Sequence, residues 1–129
     1  LSERSTCVHA RVGTVITSVD FRKVLAVGYS GNATGLPNQC DRELPPGSGD
    51  VVDCGCLHSE ENAVIHCDAP RGEPKIVFVT MLPCRACAKR IIQLGGVVDL
   101  YYETSRSDAG AIELLASVGT RVHRLATGV

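Results

Sequence analysis

The order of apolar segments predicts an α/β domain built around a five-stranded mixed sheet. Two β-branched apolar segments, at residues 12–17 and 24–29, stand close together near the start of the sequence. A third apolar segment, "KIVFVTM" at residues 75–81, lacks alternation and is typical of a strand buried on both faces. Helical spacing then alternates with strand-like segments to the end of the chain, which favours parallel crossovers.

Taken in order, the elements are β-β-α-β-α-β-α-β. The first two strands form a hairpin, because only "SVDFRK" separates "VGTVIT" from "VLAVGY". Residues 30–55 are rich in Gly, Pro, Asn and Asp and are predicted to form a long loop, of a length that is usually functional, disordered or tied down. The helices are predicted at residues 59–67, 84–96 and 107–119, the second closed by glycine and the third running from Ser107 as N-cap to Gly119. The later strands are predicted at residues 75–81, 97–102 and 120–125.

Length and composition indicate one domain over residues 1–129 with room for a real core. The net charge is -1 and the charges are interspersed, which argues against a polyanionic partner. We see no apolar run of the roughly 18 residues that a membrane span needs, and no signal peptide. Seven cysteines are an odd number for a disulfide framework. We therefore expect thiolates that bind metal in the reducing cytoplasm.

Two short motifs predict a metal site. Cys84 and Cys87 share one face of a helix that follows Pro83, and the positive end of the helix dipole favours thiolates there. A third protein ligand would leave one position open, as in a catalytic zinc site, and His58 is the candidate. Residues two apart on a helix point in nearly opposite directions, so His58 and Glu60 can act together best at a loop-to-helix junction.

The combination H-x-E…P-C-x-x-C is characteristic of zinc deaminases. Zinc lowers the pKa of a water molecule bound to it to about 7. A carboxylate that is not a ligand, here Glu60, would take the proton and deliver it to the ring nitrogen and the leaving ammonia. Glu61 is predicted to be a solvated helix residue. The alternatives are a redox pair at the two cysteines or a purely structural zinc.

Several segments carry a resemblance to a known family: "RSTC" (4–7), "VGTVI" (12–16), "GYSGNATG" (28–35), the "HSE" run (58–60), "FVTMLPCRAC" (78–87) and "VGTRV" (118–122). In these the chain resembles the deoxycytidylate (dCMP) deaminases of the cytidine deaminase-like superfamily. The resemblance implies a three-layer fold in which helices flank the five-stranded mixed sheet. It also implies hydrolytic deamination of dCMP to dUMP, which supplies thymidylate synthesis.

The same resemblance implies where the substrate binds and how the enzyme is assembled. The implied substrate contacts are Ser30, Asn32, Ser59, Thr80 and Pro83. Ser30 stands where the family pattern has an asparagine, and a Pro-Arg pair usual shortly afterwards is missing. A dCTP or modified-dCMP deaminase therefore stays open as an alternative. A homo-oligomer, a hexamer by resemblance, and a deoxynucleoside triphosphate effector are further expectations.

A second, structural zinc is also implied by the resemblance. Its ligands would be Cys7, Cys40 and Cys56, with Cys54 as the fourth, and four cysteines would close the site. The alternative is four unrelated buried thiols. Cys67 is expected to pack as a small hydrophobic residue. His9, His66 and His123 have no partner in the sequence that would make them ligands.

Two rival functions remain from the sequence. A nucleic-acid cytosine or adenosine deaminase would need a basic groove and stacking aromatics, and this chain has only five aromatic residues besides histidine. A non-catalytic zinc module that binds nucleotides would need no acid at Glu60. The presence of Glu60 therefore favours an enzyme.

Overall fold

The computed structural model describes residues 12–31, 33–36, 57–105 and 110–125. Its helices and strands follow the predicted order: β1 (Gly13–Ser18), β2 (Val24–Tyr29), α1 (Ser59–His66), β3 (Lys75–Met81), α2 (Arg85–Leu94), β4 (Val97–Thr104), α3 (Ala111–Ser117) and β5 (Arg121–Arg124). No helix within these ranges is long and apolar enough to cross a membrane.

The strands form one five-stranded mixed sheet in the order β2-β1-β3-β4-β5, which confirms the predicted fold class. Strand β1 is antiparallel to both of its neighbours, whereas β3, β4 and β5 are parallel. Parallel strands end on the same side of a sheet, and α2 and α3 begin there. Helix α1 also begins there, because it runs back to the start of β3. We call this side the carboxyl edge.

One hydrophobic core joins the three helices to a single face of the sheet. Ile16, Val77 and Leu100 supply fully buried side chains from three strands. Ala63 of α1, Ile91 of α2 and Leu115 of α3 pack into the same cluster. The described residues therefore form two layers, and no described helix forms the third layer that the resemblance implies.

Close packing of α1 on the sheet depends on Gly28 in β2. A Cβ atom added to Gly28 would lie 2.3 Å from the carbonyl oxygen of Ser59 and 2.5 Å from the backbone nitrogen of Ala63. Both neighbours are backbone atoms, which cannot rotate away as a side chain can. Glycine is therefore required where α1 crosses this strand.

A fully buried lysine holds the opposite end of β3. The Nζ of Lys75 donates hydrogen bonds to the carbonyl oxygens of Pro70 (2.8 Å), Glu73 (2.9 Å) and Gly95 (2.9 Å), with Arg71 more distant at 3.4 Å. Gly95 is the residue that ends α2, at a φ of 87°. The ammonium group therefore joins the turn before β3 to the C-terminal end of α2, where a positive charge also complements the helix dipole.

Helix ends agree with the sequence prediction at α2 and differ at α3. The predicted glycine end of α2 is confirmed at Gly95, and Gly119 with a φ of 89° follows the end of α3. Helix α3 begins at Ala111, after Gly110 in the left-handed region as its N-cap. Ser107, the predicted cap, lies outside the described residues.

Candidate metal centre and active site

His58 is placed at a loop-to-helix junction, as the sequence predicts. It is the N-cap of α1, with extended backbone angles of φ -73° and ψ 153°. The preceding residue, Leu57, exchanges two backbone hydrogen bonds with Gly31 of the segment after β2. The chain entering α1 is thus tied to the sheet before the histidine is reached.

A capping box fixes the orientation of His58. In this box the backbone N–H of His58 donates to Glu61 Oε1 at 3.0 Å. The Glu61 carboxylate also pairs with Arg90 Nε of α2 at 3.3 Å. The prediction that Glu61 is a solvated helix residue was therefore wrong. Its position three residues after an N-cap is the sequence signal that could have revealed this role.

The two cysteines are presented by the first turn of α2. Cys84 is the N-cap, and its Sγ accepts a hydrogen bond from the backbone N–H of Cys87 at 3.5 Å. Cys87 is fully buried, and Pro83, also buried, precedes the pair. The predicted arrangement of two thiols on one side of a helix start is confirmed.

The three predicted ligands meet at the carboxyl edge. Their ligand atoms all lie within 4.8 Å of one another. His58 Nδ1 is 3.2 Å from Cys87 Sγ and 3.8 Å from Cys84 Sγ. A tetrahedral zinc ion, with bonds of about 2.3 Å to sulfur and about 2.0 Å to nitrogen, sets these nitrogen–sulfur separations at about 3.5 Å. The donor set therefore fits zinc, with three protein ligands and one open position.

The protonation of the cluster shows why it suits a cation. The pKa of Cys84 is lowered to about 3, chiefly by the hydrogen bond from Cys87 and then by that from His58. The pKa of Cys87 is raised by its hydrogen bond to Cys84 and by burial. The hydrogen bond to Cys84 also raises the pKa of His58. In the absence of metal, hydrogen bonds connect the three ligand atoms. A metal ion would replace the protons of these hydrogen bonds when it binds.

Glu60 lies beside this cluster and is not one of its three ligands. Its side chain is buried, with only 4% of the residue exposed. Burial raises the pKa of the carboxyl, while a hydrogen bond with Cys87 and the charge of His58 act in the opposite direction. A buried carboxyl group with a raised pKa next to a metal site can both accept and donate a proton near neutral pH.

The predicted substrate contacts are placed around the same edge, and their roles remain predictions. The Ser59 hydroxyl is fully buried and bonds to the Thr14 hydroxyl at 2.7 Å. Ser30 Oγ accepts from the backbone N–H of Val12 at 3.1 Å. Thr80 Oγ1 accepts from the backbone N–H of Gly13 at 3.0 Å. Pro83 is buried, and Asn32 lies outside the described residues.

The Thr14–Ser59 pair is a feature that the sequence analysis missed. Thr14 is buried in β1, and its hydroxyl connects the central part of the sheet to the residue between His58 and Glu60. No spacing rule links positions 45 residues apart, so only the three-dimensional structure reveals this contact.

The remaining cysteines and histidines divide into those that the structure describes and those that it does not. Cys7, Cys40, Cys54 and Cys56, the predicted ligands of a structural zinc, lie outside the described residues, as does His9. Cys67 is half-buried against the core, as predicted. His66 Nδ1 bonds to the carbonyl oxygen of Asn62 at 2.7 Å.

His123 has a partner that the sequence analysis did not find. Its Nε2 lies 2.9 Å from Asp99 Oδ1, and its ring stacks on Tyr101 with centroids 4.8 Å apart. Arg121 pairs with the same carboxylate, and bonds from His123 and Arg121 lower the pKa of Asp99. The imidazole thus belongs to a contact between β4 and β5 rather than to the metal centre.

The mixed α/β sheet and a His-Cys-Cys site beside a buried glutamate define the class of zinc-dependent deaminase domains. Residues 1–104 match the family described as the cytidine and deoxycytidylate deaminase zinc-binding region. The chain belongs to this family.

Individual relatives agree with this assignment. The chain is 31% identical over 131 residues to a deoxycytidylate deaminase of Schizosaccharomyces pombe, an alignment that covers 95% of this chain and 40% of the relative. It is 33% identical over 103 residues to the deoxycytidylate deaminase of Mycobacterium phage D29, covering 73% of this chain and 79% of the relative. The chain thus spans 40% of the length of the yeast relative.

The fold is shared with solved structures. A crystal structure of dCMP deaminase from the cyanophage S-TIM5 in complex with dCMP and dUMP is 29% identical, with a TM-score of 0.79. The match covers 96% of this chain and 88% of the phage chain. A crystal structure of the Rib2 deaminase of Aspergillus oryzae, at 16% identity and a TM-score of 0.57, shares the fold.

Proposed function

We propose that this domain catalyses the zinc-dependent hydrolytic deamination of dCMP to dUMP. The observation that carries the proposal is the buried Glu60 carboxyl beside the cluster of His58, Cys84 and Cys87. The names of the relatives support the choice of base and sugar, and the phage enzyme that binds dCMP and dUMP supports the choice of nucleotide.

Each residue of the site has a proposed role in this reaction. His58, Cys84 and Cys87 would hold the zinc ion, which when bound makes a water molecule nucleophilic at neutral pH. Glu60 takes one proton from the attacking water and passes it to the ring nitrogen of cytosine. It then takes the second proton from the hydroxyl group added at the ring carbon and passes it to the departing amino group. One water is consumed, the exocyclic amine leaves as ammonia, and the ring carbon keeps the oxygen. Burial raises the pKa of Glu60, which favours its protonation between the two transfers.

The test is a deamination assay on metal-loaded protein. Wild type is assayed with dCMP, dCTP, cytidine and a cytosine-containing oligonucleotide, which separates the proposed substrate from the alternatives. Glu60→Gln should retain zinc and the fold and lose about 10²- to 10⁴-fold in rate. Glu73→Gln, in the turn before β3, makes the same chemical change away from the site and should leave the rate unchanged. Near-normal turnover by metal-loaded Glu60→Gln would contradict the role of this residue.

A second, structural zinc on Cys7, Cys40, Cys54 and Cys56 is also part of the proposal. The resemblance of these positions to a known ligand set supports it. Elemental analysis should find two zinc ions per chain in wild type and one in Cys40→Ser. Cys67→Ser, which changes a half-buried cysteine of the core, should keep both. A single zinc in wild type that persists in Cys40→Ser would exclude the second site.

We further propose that the enzyme is a cytoplasmic homo-oligomer, a hexamer, with a deoxynucleoside triphosphate effector. Resemblance to the dCMP deaminases supports each of these points. Light scattering on the purified chain would measure the assembly, and the rate with added dCTP would measure the response to an effector. A monomer with a rate that dCTP does not change would contradict both.

A further inference from the structure

Arg85 occupies a distinctive place at the carboxyl edge. It is the first residue of α2 and stands between the ligands Cys84 and Cys87 in the sequence. Consecutive Cα atoms are about 3.8 Å apart, so its backbone lies next to that of a metal ligand. Helical side chains tilt toward the N-terminus, and the exposed Arg85 side chain therefore extends over the same edge as the cluster.

The Arg85 guanidinium lies beside Gly110. A Cβ atom added to Gly110 would lie 2.7 Å from Arg85 Nη1. Gly110 precedes α3, so the guanidinium lies between the start of α2 and the start of α3. Ligands of open α/β sheets bind in the crevice outside the carboxyl ends of the strands, which is where this group lies.

The side chain of Arg85, like those of Arg22 and Arg71, has no partner among the described residues, whereas three other arginines are paired. Arg90 pairs with Glu61, Arg121 with Asp99, and Arg124 Nε donates to the carbonyl of Glu103. Within the described ranges, no hydrogen bond or ion pair is found for the Arg85 side chain. Its donors are therefore available to a ligand.

We propose that Arg85 binds the 5′-phosphate of the nucleotide substrate; this rests on the proposed function. The reaction takes place at one end of dCMP, on the pyrimidine ring, and its negative charge is at the other end. A nucleotide with its base at the metal cluster needs a cation nearby on the same edge. The planar guanidinium offers paired N–H donors that match two phosphate oxygens, as an ammonium group does not.

The competing explanation is that Arg85 serves the packing of α2 on α3 through Glu113. The Oε2 atom of Glu113 lies 3.4 Å from the same added Cβ position at Gly110. If the arginine acts only through this acid, then Arg85→Ala and Glu113→Gln should have the same effect, and that effect should not depend on phosphate. Phosphate binding predicts that the two variants differ.

The first measurement compares substrates with and without the phosphate. Arg85→Ala should lower kcat/KM for dCMP by about 10- to 100-fold, mainly through KM, and leave kcat/KM for deoxycytidine unchanged. Arg85→Lys should fall in between. Lys89→Ala, an exposed cation one turn further along α2, and Glu113→Gln should both keep wild-type values for dCMP. Equal losses for both substrates, or no loss for dCMP, would overturn the proposal.

The second measurement needs no turnover. Calorimetry on zinc-loaded protein gives the Kd of dUMP and of deoxyuridine for wild type and Arg85→Ala. Only dUMP should bind more weakly to the variant, by a similar factor. If wild type failed to deaminate dCMP, the proposed function would fail, and binding of dUMP would still decide the role of Arg85. Unchanged dUMP affinity in the variant would refute that role.

Discussion

Replacing Lys75 by methionine would test how far the fold depends on one buried ammonium group. Methionine keeps most of the apolar stem and removes the charge together with its hydrogen bonds. Three carbonyl oxygens within 3 Å of Nζ, on Pro70, Glu73 and Gly95, would lose their donor. A hydrogen bond to a charged group contributes about 1.5–3 kcal/mol, and the cost of burying the ammonium in the wild type offsets part of the sum. We expect a net loss of about 2–5 kcal/mol in the free energy of unfolding.

The assay is urea or thermal unfolding of zinc-loaded protein. A loss of this size lowers Tm by roughly 10 °C or more in a domain of this length. Lys89→Met is the matched control. Lys89 is exposed on α2, so this variant should unfold at the same urea concentration and temperature as wild type. A Lys75→Met variant within about 1 kcal/mol of wild type would show that the carbonyl bonds barely exceed the desolvation cost, and a more stable variant would refute the argument outright.

Two further substitutions test the contacts that hold helix α1 and His58 in place. Glu61→Ala removes the carboxylate that accepts the His58 N–H, so it should cost about 0.5–2 kcal/mol of stability and weaken zinc binding about 10- to 100-fold in a chelator competition. Unchanged zinc affinity would mean that the capping box does not orient the histidine. Gly28→Ala forces a Cβ into the backbone at Ala63 and should destabilise by at least about 1–3 kcal/mol in urea unfolding, whereas Gly72→Ala, with open space around it, should not. Equal midpoints for these two variants would contradict the close contact.

Much of the fold followed from local patterns in the sequence. Strands β2 and β3 have the predicted bounds, because each is a short, largely apolar segment flanked by turn residues. The alternation of helices and strands dictated the parallel half of the sheet, since a crossover leaves few other arrangements. The cluster of His58, Cys84 and Cys87 was also predictable, because each of these residues stands at the start of a helix that the sequence indicates.

The features that were missed depend on long-range contacts. Lys75 stands at the start of a strand, where a lysine is usually solvated, and nothing in its neighbours shows that four carbonyls converge on it. The partner of His123 becomes visible only when the parallel register brings β5 beside Asp99. Glu61 is a different case, because only the third residue after the N-cap can complete a capping box. If the helix started one residue earlier or later, Glu61 would not have this role.

The sulfur of Cys84 has two roles, and they fail together. The same atom would bind the metal and completes the first turn of α2 by accepting the N–H of Cys87. Oxidation or alkylation of this thiolate would therefore remove one ligand atom from the candidate metal site. It would also release the helix start that presents Cys87, so a single modification would affect two of the three candidate ligands. A histidine at position 84 could bind a metal ion, but its longer side chain would not place an acceptor atom close enough to cap the helix. Cysteine at this position thus links the integrity of the helix to the reducing conditions that keep the metal site intact.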